Sequence, residues 1–244
     1  MAERGVVSAA LLGMAGDSGD ERVLAAQFCG ACIAGLDIDG ASISMLTASV
    51  ARETLFASDA TARLLEDLQF SLGEGPCMQA ATTGRAVMVS DLSDSVEATS
   101  WPAFAAAVVE HTVVRALFVV PLHWGVINLG VLDLYRATPG GLSQPQCRDL
   151  IAAANLAALM MLELRTDPDD PAGLHDSDAP WLDHTLGSHT EIHQATGMVL
   201  AQLDIDATDA LARLRAHAFS HQRLLLEVAA DVVARRLIFT DEMR

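Results

Sequence analysis

The four cysteines are the residues of this sequence most capable of chemistry, because a thiolate is both a nucleophile and a metal ligand. Cys77 ends the stretch GEGPC at the predicted start of a short helix, where the helix dipole favours the thiolate. Cys29 and Cys32 form a Cys-x-x-Cys pair inside an amphipathic helix, with no second pair, which favours packing in the core. Together with Cys147 they are too few and too scattered for a disulfide framework, so we expect a reducing compartment.

Two histidine pairs have a spacing that can hold a metal ion on one helix face: His189 with His193, and His217 with His221. No cysteine lies nearby in the sequence, and no carboxylate is placed as an evident third ligand. Histidines on solvated helix faces are therefore the favoured interpretation. The sequence predicts no metal site and no cofactor.

The composition is that of a globular chain, with 51% hydrophobic residues among 244 and no run of the roughly 20 apolar residues that a membrane-spanning helix needs. The first twenty residues lack the basic region and the sustained apolar core of a secretory signal. We therefore expect a soluble, cytoplasmic protein that makes no contact with a membrane.

The charge is strongly negative: 15 arginines and no lysine face 32 acidic residues, for a net charge of −17. A field of this sign repels phosphate, which disfavours non-specific binding to nucleic acid. The imbalance is smallest from residue 187 onward, where 6 arginines face 8 acids. A nucleic-acid contact would have to be local and selective, and this part of the chain is the best place for it.

The pattern of apolar residues predicts two domains joined by a linker. Residues 1–18 are expected to be a flexible N-terminus, and residues 166–186 form an acidic, Pro-rich linker. Between them, residues 19–165 alternate short strands with helices and have short hairpin connections. This predicts an α/β (α+β) domain with a central, mostly antiparallel sheet flanked by helices.

Residues 187–240 predict an all-α bundle of three helices. Ser188 and Glu191 form a capping box that starts the first helix at His189, and Asp206 caps the second. The third helix follows a short turn between residues 220 and 222. The positions expected to face the core are Ile192, Thr196, Val199, Leu203, Leu211, Leu214, Ala218, Leu225, Val228 and Val232.

Two known families are recognisable in these patterns. The C-terminal helices resemble the ANTAR family, the RNA-binding antitermination-regulator domain, while LQFSLGEGPCMQAATTGRAVMVSDL, WPAFA, FVVPL and GVLDLY resemble GAF domains. A GAF domain followed by an ANTAR domain, as in actinobacterial-type GAF-ANTAR proteins, would cover nearly the whole chain. The residues that carry the ANTAR resemblance are Ala195, Thr196, Gly197, Asp206, Asp209, Ala210, Leu214, Arg215, Val228 and Ala229.

The resemblance implies a non-enzymatic transcription antitermination regulator. A GAF sensor would control an ANTAR domain that binds paired RNA hairpins, as a dimer, and prevents a terminator from forming. Arg215 follows the inward Leu214 by one residue, so it should point off the core toward solvent. The implied RNA-binding residues are His193, Thr196, Gly197, Arg213, Arg215, His217, Gln222 and Arg223. Thr196, Leu224 and Leu226 stand where relatives often carry basic residues.

The GAF resemblance also implies a ligand cavity over the sheet, for which the candidates are Phe118, Trp124 and Cys77. The ligand is unidentified. The helices near 20–36 and 143–165 both carry more apolar surface than one sheet face needs, so we expect a homodimer formed through them.

Three other functions remain open at this point. The chain could be a dimeric protein-interaction adaptor without RNA binding, or a DNA-binding helix-turn-helix, although the last helix has Glu and Asp where a recognition helix needs donors. It could also be a thiol-dependent reductase of the GAF fold, built on Cys77. Such reductases need a resolving thiol in the following strand, and the strand AVMVSDLSDS contains none.

Overall fold

The computed structural model describes residues 5–14, 20–46, 52–93, 96–125, 127–165, 190–221 and 223–240. The chain divides into two compact units, Met1–His175 and Asp176–Arg244. The division falls inside the predicted linker, 166–186, whose residues lie outside the described part.

The first unit is a five-stranded antiparallel sheet with helices on both faces. The strand order is β2-β1-β5-β4-β3, and every pairing is antiparallel, which confirms the predicted fold class. The strands are β1 Gly40–Leu46, β2 Arg52–Ala57, β3 Val87–Val89, β4 Ala116–Trp124 and β5 Ile127–Arg136. The helices are α1 Val6–Met14, α2 Glu21–Leu36, α3 Ala60–Leu72, α4 Pro76–Thr83, α5 Pro102–His111 and α6 Gln144–Arg165.

Aspartate side chains start two of these helices. Asp20 accepts hydrogen bonds from the backbone N–H groups of Arg22 and Val23 at the start of α2. Asp59 accepts from the N–H groups of Thr61, at 2.8 Å, and Ala62, at 2.9 Å, and so starts α3. Both satisfy N–H groups that a helix leaves without an internal partner.

One face of the sheet, which we call the apolar face, is covered by α2 and α6. Ile43, Leu132 and Leu134 of the strands are buried there against hydrocarbon side chains such as Phe28 of α2. Cys29 and Cys32 are fully buried in the same layer, which confirms the core packing expected for this pair. Burial raises the pKa of both thiols well above the usual range, so they stay protonated and inert.

Helix α1 corrects the expected flexible N-terminus for residues 6–14. Val7 and Leu11 are fully buried against α2 and α6. Asp149 of α6 accepts hydrogen bonds from the N–H of Val7 at 2.9 Å and from the hydroxyl of Ser8 at 2.6 Å, although Val7 is 142 residues away in the chain. The carboxylate therefore caps α1 from a different helix, and α1 covers part of the apolar surface of α6 that the sequence assigned to a dimer.

The second unit contains three helices in its described residues: α7 Thr190–Leu203, α8 Ala207–Ser220 and α9 Leu225–Val233. Asp206 caps α8 by accepting from the N–H of Asp209 at 2.8 Å, as predicted. Leu203 and Leu211 are only half-buried, whereas the other predicted core positions are buried. The predicted start at Ser188 and His189 lies outside the described residues.

Candidate functional site

The sheet face opposite the apolar face, which we call the polar face, is covered by α3 and α4. Side chains alternate between the two faces of a strand. Ile43 of β1 points into the apolar face, so its neighbours Ser42 and Ser44 point into the polar face. Asp133 of β5 is paired with Ser42 in the sheet register and points the same way. All three polar residues are almost completely buried.

Helix α3 places two more buried polar side chains over these strands. Glu66 is 2% exposed and accepts hydrogen bonds from the hydroxyls of Ser42, at 2.8 Å, and Ser44. Gln69, one turn later, accepts from the backbone N–H of Cys77 at 2.8 Å. The polar face therefore holds a hydrogen-bonded cluster of buried side chains. In it, serines of β1 bind Glu66, and Gln69 of α3 binds the backbone at the start of α4.

Gly75 makes the approach of α4 to Gln69 possible. Its φ of 139° lies in the region that favours glycine, and a Cβ there would lie 2.7 Å from Cγ of Gln69. Any other residue would push the Gln69 side chain away from Cys77. Gly75 of GEGPC is thus required by the contact between Gln69 and the backbone of Cys77.

The predicted ligand pocket of Phe118, Trp124 and Cys77 is not assembled. Cys77 is fully buried at the polar face, whereas Phe118 belongs to the apolar face, with the guanidinium of Arg136 5.5 Å from its ring centre. Trp124, at the end of β4, is 47% exposed. The sequence misled because β4 is apolar at nearly every position, so it carries no alternation that shows which side chains share a face.

The thiols are divided between the two faces, which bears on the reductase alternative. Cys77 lies at the polar face, while Cys29 and Cys32 belong to the apolar face and Cys147 lies in α6, which covers that face. Within the described residues, the sheet thus separates Cys77 from the other thiols. The structure places no resolving thiol beside it.

In the second unit, Arg213, His217 and His221 lie four residues apart along α8 and so form one stripe. His217 stacks on His221 with ring centres 4.0 Å apart, and its edge contacts Phe239. Burial, and then the nearby charges of His221 and Arg223, lower the pKa of His217. We call this stripe, together with the adjoining Arg223, the basic flank. A lowered pKa favours the uncharged form of the His217 imidazole at neutral pH.

Arg223 is not available as an isolated cation for phosphate. Its guanidinium donates to a carboxylate oxygen of Asp231 at 2.7 Å and lies 3.8 Å from Glu227. Arg236 donates to the other oxygen of Asp231 at 2.7 Å. Hydrogen bonds from the two arginines lower the pKa of Asp231, so the carboxylate stays ionised between them. Arg223 therefore holds α9 in place as well as contributing charge to the basic flank.

The remaining predicted RNA-binding residues are spread over the helices. Arg215 is half-exposed, but it follows Arg213 by about 200° of helix rotation and so lies on the opposite flank of α8. Thr196 is buried, with its hydroxyl donating to the carbonyl of Ile192 at 2.7 Å, which confirms its core position and removes it from the accessible surface. The expectation that Thr196 contacts RNA is therefore wrong, because its buried hydroxyl binds the backbone of its own helix. His193 is exposed, and Gln222 lies outside the described residues.

Gly197 is exposed on α7, and a Cβ placed there would meet no atom within 4 Å. A glycine inside a helix costs about 1 kcal/mol relative to alanine. No contact within the described part of the chain requires the missing side chain. This leaves a patch of bare helix backbone on the surface beside His193.

Comparison with known families agrees with this architecture. The GAF domain family model matches residues 18–161, more than half of the chain, and the ANTAR domain model matches residues 182–233. The chain belongs to the GAF family and carries an ANTAR domain. GAF domains are sensors and ANTAR domains are RNA-binding regulators, so the protein has a regulatory role in transcription.

Solved structures support the GAF fold of the first unit at low sequence identity. The GAF domain of a phosphoenolpyruvate-protein phosphotransferase from Coxiella burnetii has a TM-score of 0.54 at 10% identity, covering 65% of this chain and 92% of that domain. The corresponding Acinetobacter domain has a TM-score of 0.50 at 12% identity, covering 64% and 91%. The free methionine-R-sulfoxide reductase from Neisseria meningitidis reaches 0.45 at 16% identity, covering 66% and 88%, which is too distant to argue from.

The search of curated proteins finds no significant match to this GAF-ANTAR chain. None of the helices in its described residues combines the length and the apolar character needed to cross a membrane.

Proposed function

We propose that this protein is a non-enzymatic transcription antitermination regulator. In this proposal, the GAF domain responds to a signal and controls the ANTAR domain, which binds paired RNA hairpins and prevents a terminator from forming. The observation that carries the proposal is the ANTAR match over residues 182–233, which coincides with a three-helix unit. Binding to a nascent transcript requires a cytoplasmic protein.

The surface of the ANTAR domain offers the contacts that a hairpin loop needs. Proteins read RNA sequence mostly in loops, where unstacked bases can lie on aromatic or guanidinium planes. Arg213 and the stacked imidazole rings of His217 and His221 provide such planes on the basic flank. The bare backbone at Gly197 lets a nucleotide approach α7 closely. The net charge of −17 opposes binding elsewhere on the chain and so favours selectivity.

Dimerisation belongs to the same proposal, because paired hairpins call for paired ANTAR domains. Val23 of α2 and Ile151 and Leu164 of α6 are between 39% and 47% exposed, although they are large and apolar. This leaves apolar surface on both helices even with α1 in place. A second copy would bury it in a symmetric helix-on-helix contact.

Filter binding at fixed salt tests the RNA proposal, with a hairpin pair, a single hairpin and duplex DNA of matched length. We expect the hairpin pair to bind most tightly. Arg213→Ala should weaken that binding about tenfold or more, because a hydrogen bond between charged groups contributes roughly 1.5–3 kcal/mol. Arg215→Ala removes another of the implied RNA-binding residues, on the opposite flank of the same helix, so the two variants together show which flank contacts RNA. A larger loss of affinity for Arg215→Ala than for Arg213→Ala would show that RNA binds the flank of Arg215.

A protein-interaction adaptor is the second candidate, because the ANTAR unit also exposes apolar side chains. Phe219 is 75% exposed and Leu224 is 68% exposed, on either side of the turn between α8 and α9. Such side chains suit contact with another protein. If the unaltered chain showed no RNA binding in the filter assay, the adaptor would become the leading proposal.

A further inference from the structure

The polar face of the GAF domain brings together three side chains that are widely separated in sequence. Glu66 comes from α3, Cys77 from the first turn of α4, and Asp133 from the central strand β5. One ligand atom from each, two carboxylate oxygens and a sulfur, lie within 4.8 Å of one another, and all three residues are buried.

We propose that this cluster is a binding site for a divalent transition-metal ion of the zinc class. Bonds of about 2.0–2.3 Å in a tetrahedral arrangement place neighbouring ligand atoms roughly 3.3–3.8 Å apart. The observed separations, within 4.8 Å, exceed this by no more than about 1.5 Å, a gap that side-chain rotations can close. The site does not depend on RNA binding by the ANTAR domain.

The chemistry of the three ligands selects the kind of ion. A thiolate is a soft ligand that suits zinc and similar transition metals, whereas magnesium and calcium prefer oxygen ligands alone.

The surroundings orient two of the ligands, as the outer shell of a metal site does. The hydroxyls of Ser42 and Ser44 each donate to a different oxygen of Glu66. Gln69 fixes the backbone of Cys77, and Gly75 allows that contact. Such partners hold ligands in place and tune their affinity for the ion. A bound ion would tie α3 and α4 to the centre of the sheet, and three protein ligands would leave a fourth position for a small molecule.

Titration of the chelator-treated full-length protein with Zn²⁺, against a chromophoric competitor and without RNA, tests the site. We expect one ion per chain, no displacement by Mg²⁺ or Ca²⁺, and a Zn²⁺-dependent rise in melting temperature. Cys77→Ser should weaken binding about a hundredfold or more, since loss of even an outer-shell partner costs about 10–100-fold. Cys147→Ser is the matched control, because that thiol lies in α6 away from the polar face, and it should bind as the parent does.

Two further measurements keep the proposal testable if Cys77→Ser folds poorly. Glu66→Gln preserves the shape of the side chain and groups that can hydrogen-bond Ser42 and Ser44, yet it should also weaken Zn²⁺ binding. Co²⁺ bound to the unaltered chain should give a thiolate charge-transfer band in the near ultraviolet. Absence of that band, no detectable Zn²⁺ binding, or binding that survives both substitutions would overturn the site. Filter binding to RNA is unaffected by any of these outcomes, so the two proposals fail separately.

Discussion

Both faces of the GAF sheet are covered by helices, but the side chains buried on the two faces differ in polarity. The apolar face buries a cluster of hydrocarbon, thiol and thioether side chains from β1, β5, α2 and α6. The polar face also buries a second apolar cluster, which includes Phe104, Val119 and Val131, but it adds five buried polar side chains: Ser42, Ser44, Asp133, Glu66 and Gln69. Burial of apolar surface stabilises a fold, whereas a buried polar group is costly unless it is satisfied. The contrast indicates that apolar burial stabilises both faces, and that the polar face in addition carries the buried polar groups of a site.

The largest effect should come from a cavity in the apolar face. Phe28 of α2 is fully buried there, so Phe28→Ala should destabilise the GAF unit by roughly 3–5 kcal/mol in denaturant unfolding. Arg22→Ala on the same helix is the control, because the Arg22 side chain is exposed and its loss should change the free energy of unfolding by no more than about 0.5 kcal/mol. Equal effects of the two substitutions would mean that the apolar face does not carry the stability.

A smaller effect should follow when α1 loses its cap. Asp149→Ala removes the acceptor for the N–H groups of Val7 and Ser8 and for the Ser8 hydroxyl, at a cost of about 1–2 kcal/mol. Amide hydrogen exchange of residues 6–14 should accelerate more than that of α2. Ser8→Ala removes only the hydroxyl and should show a weaker version of the same change. Unaltered exchange in Asp149→Ala would contradict the docking of α1.

On the other side of the sheet, the Asp59 cap of α3 makes the free energy of unfolding depend on pH. Burial alone would raise the pKa of this carboxyl, but hydrogen bonds from the Ser58 hydroxyl, the Ala62 N–H and the Tyr135 hydroxyl outweigh it and lower the pKa. A depressed folded pKa stabilises the fold above the unfolded value, about 3.9, and this contribution is lost as the pH falls through the folded value.

Asp59→Ala should therefore cost about 1 kcal/mol near neutral pH, and the difference from the parent should shrink below about pH 4. Urea unfolding of both proteins across this range measures it. Asp59→Asn keeps a capping oxygen without a titrating charge, so its stability should be the closer to the parent's at neutral pH. A difference that grew in acid would contradict the sign of the shift.

The smallest effect is expected at the centre of the polar face. In the metal-free chain, Glu66→Gln should change the free energy of unfolding by less than about 1 kcal/mol, because glutamine keeps the size of the side chain and polar atoms for Ser42 and Ser44. Thermal melting with a chelator present measures it. A loss of unfolding free energy as large as that of Phe28→Ala would show that the hydrogen bonds of Glu66 stabilise the fold as strongly as the apolar layer does.

Local features of the fold could be predicted from the sequence because their causes are local. Asp59 and Asp206 start helices through N–H groups two or three residues away. The β1–β2 and β4–β5 hairpins follow from short apolar runs and short connections, whereas the pairing of β1 with β5 does not. Helix α1 was missed because the carboxylate that caps it, Asp149, is 142 residues from Val7.

The candidate sites show the same limit. Arg213 and His217 could be placed on one flank of α8 because helix periodicity decides it. Glu66, Cys77 and Asp133 follow no spacing rule, since only the pairing of β5 with β1 brings Asp133 under α3. The partner of Arg223 was equally hidden, because Asp231 lies two helical turns away on a face that only packing identifies.

The contact of α1 with α6 also has a kinetic consequence. Folding slows as contacts join residues more distant in the chain, because longer loops must close before those contacts form. The GAF unit depends on α1 meeting α6 and on β1 meeting β5, whereas the ANTAR helices that meet one another all lie within residues 190–233. We therefore expect the ANTAR helices to fold first after dilution from denaturant. The GAF sheet, with its buried polar face, should form only in a later, slower phase.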